Sequence, residues 1–186
     1  MRGQTGVARK LKIAISGKSG CGNSTVSRMV ADRMGLTLVN YTFRAIAQEQ
    51  GMSFSQIREA AEKDSSWDRY LDKRQVEMAA EGNTVLGSRL AVWMLKDADL
   101  KVYLTAPPDV RAGRIQKREG GAFEDVLKET LARDERDRKR YLKLYGIDNN
   151  EFGFVDLVID TTNMEPEEVA GRIIEEIERI REKSAG

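Results

Sequence analysis

Residues 17 to 25, Gly17-Lys18-Ser19-Gly20-Cys21-Gly22-Asn23-Ser24-Thr25, combine glycines, hydroxyls and one lysine at the spacing of a phosphate-binding loop. In the common form, G-x-x-x-x-G-K-[ST], backbone N–H groups cradle phosphate oxygens, the lysine reaches the outer phosphates and the hydroxyl binds Mg²⁺. Gly17, Gly22 and Ser24 keep that spacing, which makes Ser24 the expected metal ligand. Asn23 stands where the lysine belongs, and a lysine appears instead at Lys18, directly after the first glycine. The loop therefore predicts nucleotide phosphates and leaves open whether they are turned over. A flexible surface turn would also be rich in such residues, but the flanks argue against it. An apolar strand, Leu11 to Ser16, precedes the loop, and Val26, Met29, Val30 and Met34 follow at the spacing of one helix face over Ser24 to Met34. A helix starting there aims its free N–H groups and positive dipole end at the loop. Cys21, the single cysteine, reads as a small loop residue and can form no internal disulfide.

A second group of chemically capable residues lies downstream. Arg133, Arg136, Asp137 and Arg140 fall at i, i+3, i+4 and i+7 and share one helix face. Glu129–Arg133, Arg133–Asp137 and Asp134–Arg138 would be i,i+4 pairs on a solvated helix, the bland reading. Residues 133 to 140 nevertheless hold five cations against three anions. Such crowding is unfavourable until an anion arrives. Arg111, Arg114 and Arg118 repeat the spacing on the preceding helix, across a Gly120-Gly121 break. Two arginine faces hinged by glycines, downstream of a phosphate loop, predict a lid that closes over phosphates. Phosphoryl transfer needs such parts, because its difficulty lies in gathering negative charge and aligning donor and acceptor. If the acceptor is itself a phosphate, no general base is required, and the complete absence of histidine removes nothing.

The elements that must position these groups alternate along the chain. Strands are expected at 11–16, Leu36 to Asn40, Asn83 to Gly87, Leu100 to Thr105 and Phe154 to Asp160. Helices are expected over Tyr41 to Gln50, Ser53 to Lys63 and Ser65 to Glu81, with Ser53 and Ser65 as N-caps, and then from Pro107-Pro108 to Arg118, Phe123 to about Leu144, and Pro166 to Arg181. Short apolar strands between helices predict an α/β doubly wound parallel sheet, with ligands beyond the strands' carboxyl ends. Gly17, Asn40, Gly87-Ser88-Arg89 and Thr105 should then border one crevice. The helical block at 41–82 is too long for a simple crossover and reads as an insertion covering that crevice. The 186 residues suit one domain after a disordered lead-in at 1–10. A net charge of +1 and the lack of a basic–aromatic strand pattern disfavour nucleic-acid binding. One cysteine and no membrane-length apolar stretch point to a cytoplasmic chain with no membrane partner.

Six segments resemble the cytidylate kinases, within the nucleoside-monophosphate kinase group of P-loop proteins: residues 15–22, 43–47, 68–77, 88–107, 133–141, and Tyr145-Gly146-Ile147-Asp148 with Asp156 to Thr162. The 88–107 stretch is the most specific and is similar to the short, archaeal-type enzymes. The resemblance spans Leu11 to Ile180 and implies a three-layer P-loop nucleoside-monophosphate kinase fold with a core at 11–40, 83–110 and 154–182, an acceptor-binding insertion at 41–82 and a mobile lid at 111–145. It implies ATP and CMP or dCMP as substrates, Mg²⁺ accompanying ATP, and a monomer. Carried over by position, Arg44 and Arg89 would hold the acceptor phosphate. Arg133, Asp137 and Arg140 would line the acceptor nucleotide and Arg114 and Arg118 would approach ATP. Asp68 and Asp72, with Arg74, would read the base or be simple helix-surface charges. Trp67 and Trp93 are expected to pack.

This sequence departs from the family's pattern at the chemistry. Besides Asn23, Gly87-Ser88-Arg89 replaces Glu-Gly-Arg, removing a carboxylate that could support Mg²⁺. Val92 replaces a glycine, with the expectation of added bulk beside Arg89, and the turn Asn40-Tyr41-Thr42 is short. Lys18 sits where deviant phosphate loops carry their lysine, and would restore the missing cation or face solvent. The alternatives to a CMP kinase are a kinase for another phosphorylated acceptor and a catalytically weakened nucleotide-binding regulator.

Overall fold

The computed structural model describes residues 10–185, so the expected lead-in at 1–10 lies outside the described residues except for Lys10. Five strands are present: β1 (Lys12–Gly17), β2 (Thr37–Val39), β3 (Thr84–Gly87), β4 (Leu100–Thr105) and β5 (Leu157–Asp160). They form one parallel sheet in the order β2-β3-β1-β4-β5. Strand order reverses around β1, whose neighbours are β3 and β4. The loop leaving β1 therefore emerges at the switch point, where α/β sheets bind ligands.

Successive strand residues point to opposite faces. Ile13, Ile15, Val85, Val102, Leu104 and Ile159 pack with helix α1 (Asn23–Met34) and the last helix, α8 (Pro166–Ala185), which contributes Val169, Ile173 and Ile177. Ala14, Leu86 and Tyr103 face the other way, onto Val39, Ala79 and the single helical turn α5 (Ala91–Met94). That turn was not foreseen in the sequence, being too short to show a period. Its Val92 is fully buried in this second core, so the expected bulk beside Arg89 is instead core packing.

Helices α2 (Phe43–Glu49), α3 (Phe54–Lys63) and α4 (Ser66–Ala80) form the block between β2 and β3, around a small core of Tyr41, Ile46, Ala47 and Ile57 with Trp67 against it. Ser53 caps α3 in a full capping box with Gln56, as expected. Ser65 makes no side-chain cap on α4. Asp64 does that work, its carboxylate accepting from the Ser66 N–H (2.8 Å) and hydroxyl (2.7 Å). Helices α6 (Pro108–Glu119) and α7 (Phe123–Tyr145) form a hairpin across Gly120 and Gly121, both at positive φ.

β5 begins later than the apolar run Phe154 to Leu157 predicts. The Asp156 carboxylate takes the Lys101 N–H (2.7 Å), Val155 packs on the second core, and Phe154 meets Trp93 edge-on (5.7 Å). These apolar residues cover a turn. No helix among the described residues is long and apolar enough to cross a membrane.

Candidate active site

Tight backbone packing shapes the 17–25 loop. Gly20 and Gly22 adopt φ of 86° and 92°, conformations that disfavour any other residue. A Cβ on Gly20 would stand 2.8 Å from the Arg111 carbonyl, and one on Gly17 would stand 2.8 Å from the Leu104 carbonyl. Cys21 is buried in the loop, and burial pushes its thiol pKa up, which makes it an inert packing residue.

Arginines from α6 hold this loop from outside. Arg111 is only 2% exposed and grips Asp134 of α7 with two hydrogen bonds (3.1 and 2.6 Å) while donating to the carbonyls of Ser19 (3.1 Å) and Ala106 (3.1 Å). Arg114 donates to the Thr161 hydroxyl (2.9 Å) and carbonyl (2.5 Å) and reaches the Gly20 carbonyl (3.4 Å). Arg133 of α7 donates to the Ser19 hydroxyl (3.2 Å). The sequence placed Arg111 on an arginine face closing over phosphates, whereas its guanidinium is spent inside the protein on Asp134 and two carbonyls. The buried pair it forms with Asp134 joins loop, α6 and α7.

A cleft of about 1020 Å³ opens over the loop. Gly17 to Val26 form its floor, Gly87, Ser88 and Arg89 one wall, and Arg114, Lys117, Arg118 and Arg133 the wall from the helical hairpin. The stretch Thr161 to Pro166 after β5 completes it. Of the strand-end residues expected at one crevice, Gly17 and Gly87 to Arg89 line this cleft. Thr105 lines a smaller cavity of about 410 Å³ on the far side of the loop, and Asn40 is exposed. Lys18 borders both cavities, with its ammonium 3.8 Å from Asp134. Arg118 pairs with the adjacent Glu119 (2.5 Å) at the rim.

The acidic and basic residues of α7 do not pair along their own helix at the three predicted i,i+4 positions. Arg136 meets Glu129 (2.5 Å) and Lys139 meets Glu135 (3.3 Å) on the helix itself, and others reach other elements. Arg89 lies 2.8 Å from Asp137, Arg138 pairs with Asp148 (2.7 Å), and Arg140 contacts Asp68 of α4. The Tyr145 hydroxyl donates to Asp72 (2.6 Å). Burial opposes the charge on Arg89, but Asp137 and then Tyr141 outweigh it and raise its pKa. Arg44 stands apart on α2, its guanidinium 4.4 Å over the Phe54 ring, and Arg74 pairs with Glu77 (3.5 Å). The geometry thus joins Asp68, Asp72, Arg89, Asp137 and Arg140 across α4, α5's leading turn and α7, and leaves Arg44 outside. Tyr141 and Tyr145 were missed. They continue the 133–137 stripe in steps of four, a signal visible in the sequence.

Burial is the main cause that raises the carboxyls of Asp68 and Asp72 from their ordinary value. Arg140 opposes the shift at Asp68, and the Tyr145 hydroxyl opposes it at Asp72. A carboxyl with a raised folded pKa binds more protons folded than unfolded, so stability falls as pH rises from its ordinary value through the raised one. Asp72→Asn keeps an oxygen for Tyr145 and removes the charge. It should raise the ligand-free melting temperature at neutral pH and flatten the loss of stability above pH 4. Thermal melts from pH 4 to 8 check this; a variant less stable than the parent at pH 7 contradicts it.

Among the described residues no three His, Cys, Asp or Glu cluster as a metal site. Ser24 does line the cleft one residue into α1, where a nucleotide-borne cation would meet its hydroxyl. This suits Mg²⁺, which keeps several waters and takes most remaining ligands from substrate phosphates. The strand-end carboxylate could not be restored in this backbone. A Cβ on Gly87 would stand 2.6 Å from Ser27 Cβ and closer still to Ser27 Oγ.

Residues 12–163, spanning the loop, both arginine helices and all five strands, match the model of the cytidylate kinase-like family. The chain belongs to that family. It is 52% identical over 173 residues to cytidylate kinase 2 of Borreliella afzelii, covering 91% of this chain and 97% of that one. It is 46% identical to the cytidylate kinase of Pyrococcus horikoshii, covering 86% and 84%. Among solved structures, the shikimate kinase of Bacteroides thetaiotaomicron superimposes with a TM-score of 0.64 at 15% identity, covering 91% and 99%, a likeness of fold. The expected P-loop kinase fold and the family resemblance are both borne out.

Proposed function

We propose that this protein is an ATP-dependent kinase that moves the γ-phosphoryl group of ATP to CMP, and to dCMP by the same chemistry. The observation that carries the reading is the convergence, over one phosphate loop at a sheet switch point, of arginines from α6 and α7 and of Arg89, in a member of the cytidylate kinase-like family. ATP lies along the loop 17–25, its base side between Arg114, Arg118 and the 161–166 stretch. Ser24, together with phosphate oxygens, would hold the Mg²⁺ that accompanies ATP and offsets the phosphate charge. Arg89 and Arg44 take the acceptor phosphate, and Arg133, Asp137 and Arg140 line the acceptor nucleoside. Asp68 and Asp72 meet the base from α4. For Arg44 this requires the insertion 41–82 to close, as the lid 111–145 closes over ATP. We further read the chain as a cytoplasmic monomer that binds neither membrane nor nucleic acid.

Lys18 supplies part of the charge that Asn23 lacks by moving from Asp134 to the phosphates when ATP binds. Lys18→Ala should lower kcat by about tenfold or more, with Asp134 still gripped by Arg111. Unchanged turnover would contradict the role. The acceptor is tested by coupled ADP release over CMP, dCMP, UMP, AMP and GMP at equal concentration. CMP and dCMP should lead the panel, and preferred turnover of another acceptor would overturn the assignment.

A further inference from the structure

The smaller cavity, of about 410 Å³, lies between the end of β4, helix α7 and Phe152, and its volume falls within the range of small-molecule sites. Helix α7 serves the two hollows with opposite faces. Arg133 lines the nucleotide cleft, with Asp137 and Arg140 on the same side, whereas Leu131, Asp134 and Arg138 follow at i, i+3 and i+7 on the other side and line this cavity. Neither ATP nor the acceptor occupies it in the proposed arrangement.

Part of its wall is aromatic. Phe152 stacks on Tyr103, with ring centroids 4.0 Å apart and planes at 11°, and Leu131, 49% exposed, stands at the mouth. A planar ring suits such a wall better than a branched aliphatic body. Most of the charged groups around the cavity are already spent. Arg111 holds Asp134, Arg138 is bound to Asp148, and Glu135 pairs with Lys139. Lys18 is the exception. Among the described residues its ammonium makes no hydrogen bond, and Asp134, 3.8 Å away, has both carboxylate oxygens engaged by Arg111. After the bonds from Arg138 and from the Asn150 N–H, the Lys18 charge also helps hold the Asp148 carboxyl below its ordinary value, which agrees with an ammonium on the cavity side of the loop. One negative charge suits one ammonium, whereas a phosphate dianion would be repelled more strongly by Asp134 and Glu135.

We propose that this cavity is a second ligand site, which takes a planar aromatic monocarboxylate with its carboxylate on the Lys18 ammonium, and that filling it holds Lys18 away from the nucleotide phosphates. The inference rests on the reading of Lys18 as a residue that serves ATP. Such a ligand would act as an inhibitor without entering the nucleotide cleft. The coupling is reciprocal, so ATP weakens the carboxylate by the same factor as the carboxylate weakens ATP.

The test uses the full chain and naphthoate as the probe, with naphthalenemethanol as its uncharged analogue. Calorimetry without nucleotide should show one naphthoate per chain and much weaker binding of the alcohol. Saturating naphthoate should raise the Kd of ATP by about fivefold or more. Leu131→Trp, which fills the mouth, and Leu131→Glu, which places a like charge there, should both abolish naphthoate binding and leave ATP affinity and CMP turnover at the parent level. No naphthoate binding, or equal binding of the alcohol, would overturn the site as an anion site. Binding that persists in both Leu131 variants would place the probe elsewhere, and binding that leaves ATP affinity unchanged would overturn the link through Lys18. If CMP is not phosphorylated, the kinase reading fails, while the naphthoate and ATP titrations still decide the site and its coupling.

Discussion

Arg111→Ala should lower the melting temperature by roughly 6–20 °C, from a loss of about 3–5 kcal/mol spread over a domain of this size. The guanidinium is 2% exposed, and its removal leaves the Asp134 carboxylate, 16% exposed, without its bidentate partner. Breaking one half of a buried pair costs more than the pair itself is worth, because the surviving carboxylate keeps little water and the Lys18 ammonium at 3.8 Å replaces only part of the lost bond. Lysine should rescue little, since an ammonium cannot make the two-pronged bond and also serve the carbonyls of Ser19 and Ala106. An apolar pair, Arg111→Met with Asp134→Leu, separates the structural part from the functional one. It should recover much of the melting temperature but not the ATP affinity, because the loop carbonyl of Ser19 has lost its donor. Melting curves and ATP titrations of the two variants check both halves; an alanine variant that melts with the parent contradicts the clamp.

Arg89→Ala should reduce kcat/KM for CMP by about 10²–10³-fold while ATP affinity stays at the parent level. Arg89, just past the end of β3, is directed toward the cleft by its ion pair with Asp137 of α7. In the proposed acceptor site this cation faces the acceptor phosphate. It would neutralise the attacking oxygen and align it, interactions that strengthen as charge spreads over the transferring group. Steady-state kinetics with each substrate varied in turn give the answer. An equal loss for ATP, or no loss for CMP, would place Arg89 outside the acceptor site.

The sequence made legible what depends on near neighbours. The strand, loop and helix from Lys12 to Met34 could be read because glycine spacing, an apolar strand and a 3.6 period lie within a short stretch. Ser53 was read as a cap for the same reason, and Asp64 was overlooked beside Ser65 because either residue type caps a helix. The start of β5 was misplaced because Phe154 and Val155 are apolar for the sake of Trp93 and the second core, a tertiary reason that no local pattern carries.

The site divides in the same way. That α7 bears an arginine face was legible; which anions those arginines meet was not. Arg140 finds Asp68 and Arg89 finds Asp137 across long stretches of chain, and these pairings exist only once α4, α5 and α7 are docked. Val92 illustrates the reverse. Its sequence position beside Arg89 promised an effect on the cleft, whereas the helical turn at 91–94 rotates it into the core. The replacement of a strand-end carboxylate at Gly87 was visible as a departure, but its cause, the close approach of Ser27, needed the packing of α1 on β3.

The central claim is that a phosphate loop with an amide at residue 23 and no carboxylate at residue 87 still transfers phosphate to a cytidine nucleotide. A single-turnover experiment with γ-labelled ATP, Mg²⁺, excess protein and CMP tests it. The label should leave ATP and appear in CDP. Label that stays in ATP bound to the protein, with no CDP formed, would contradict it.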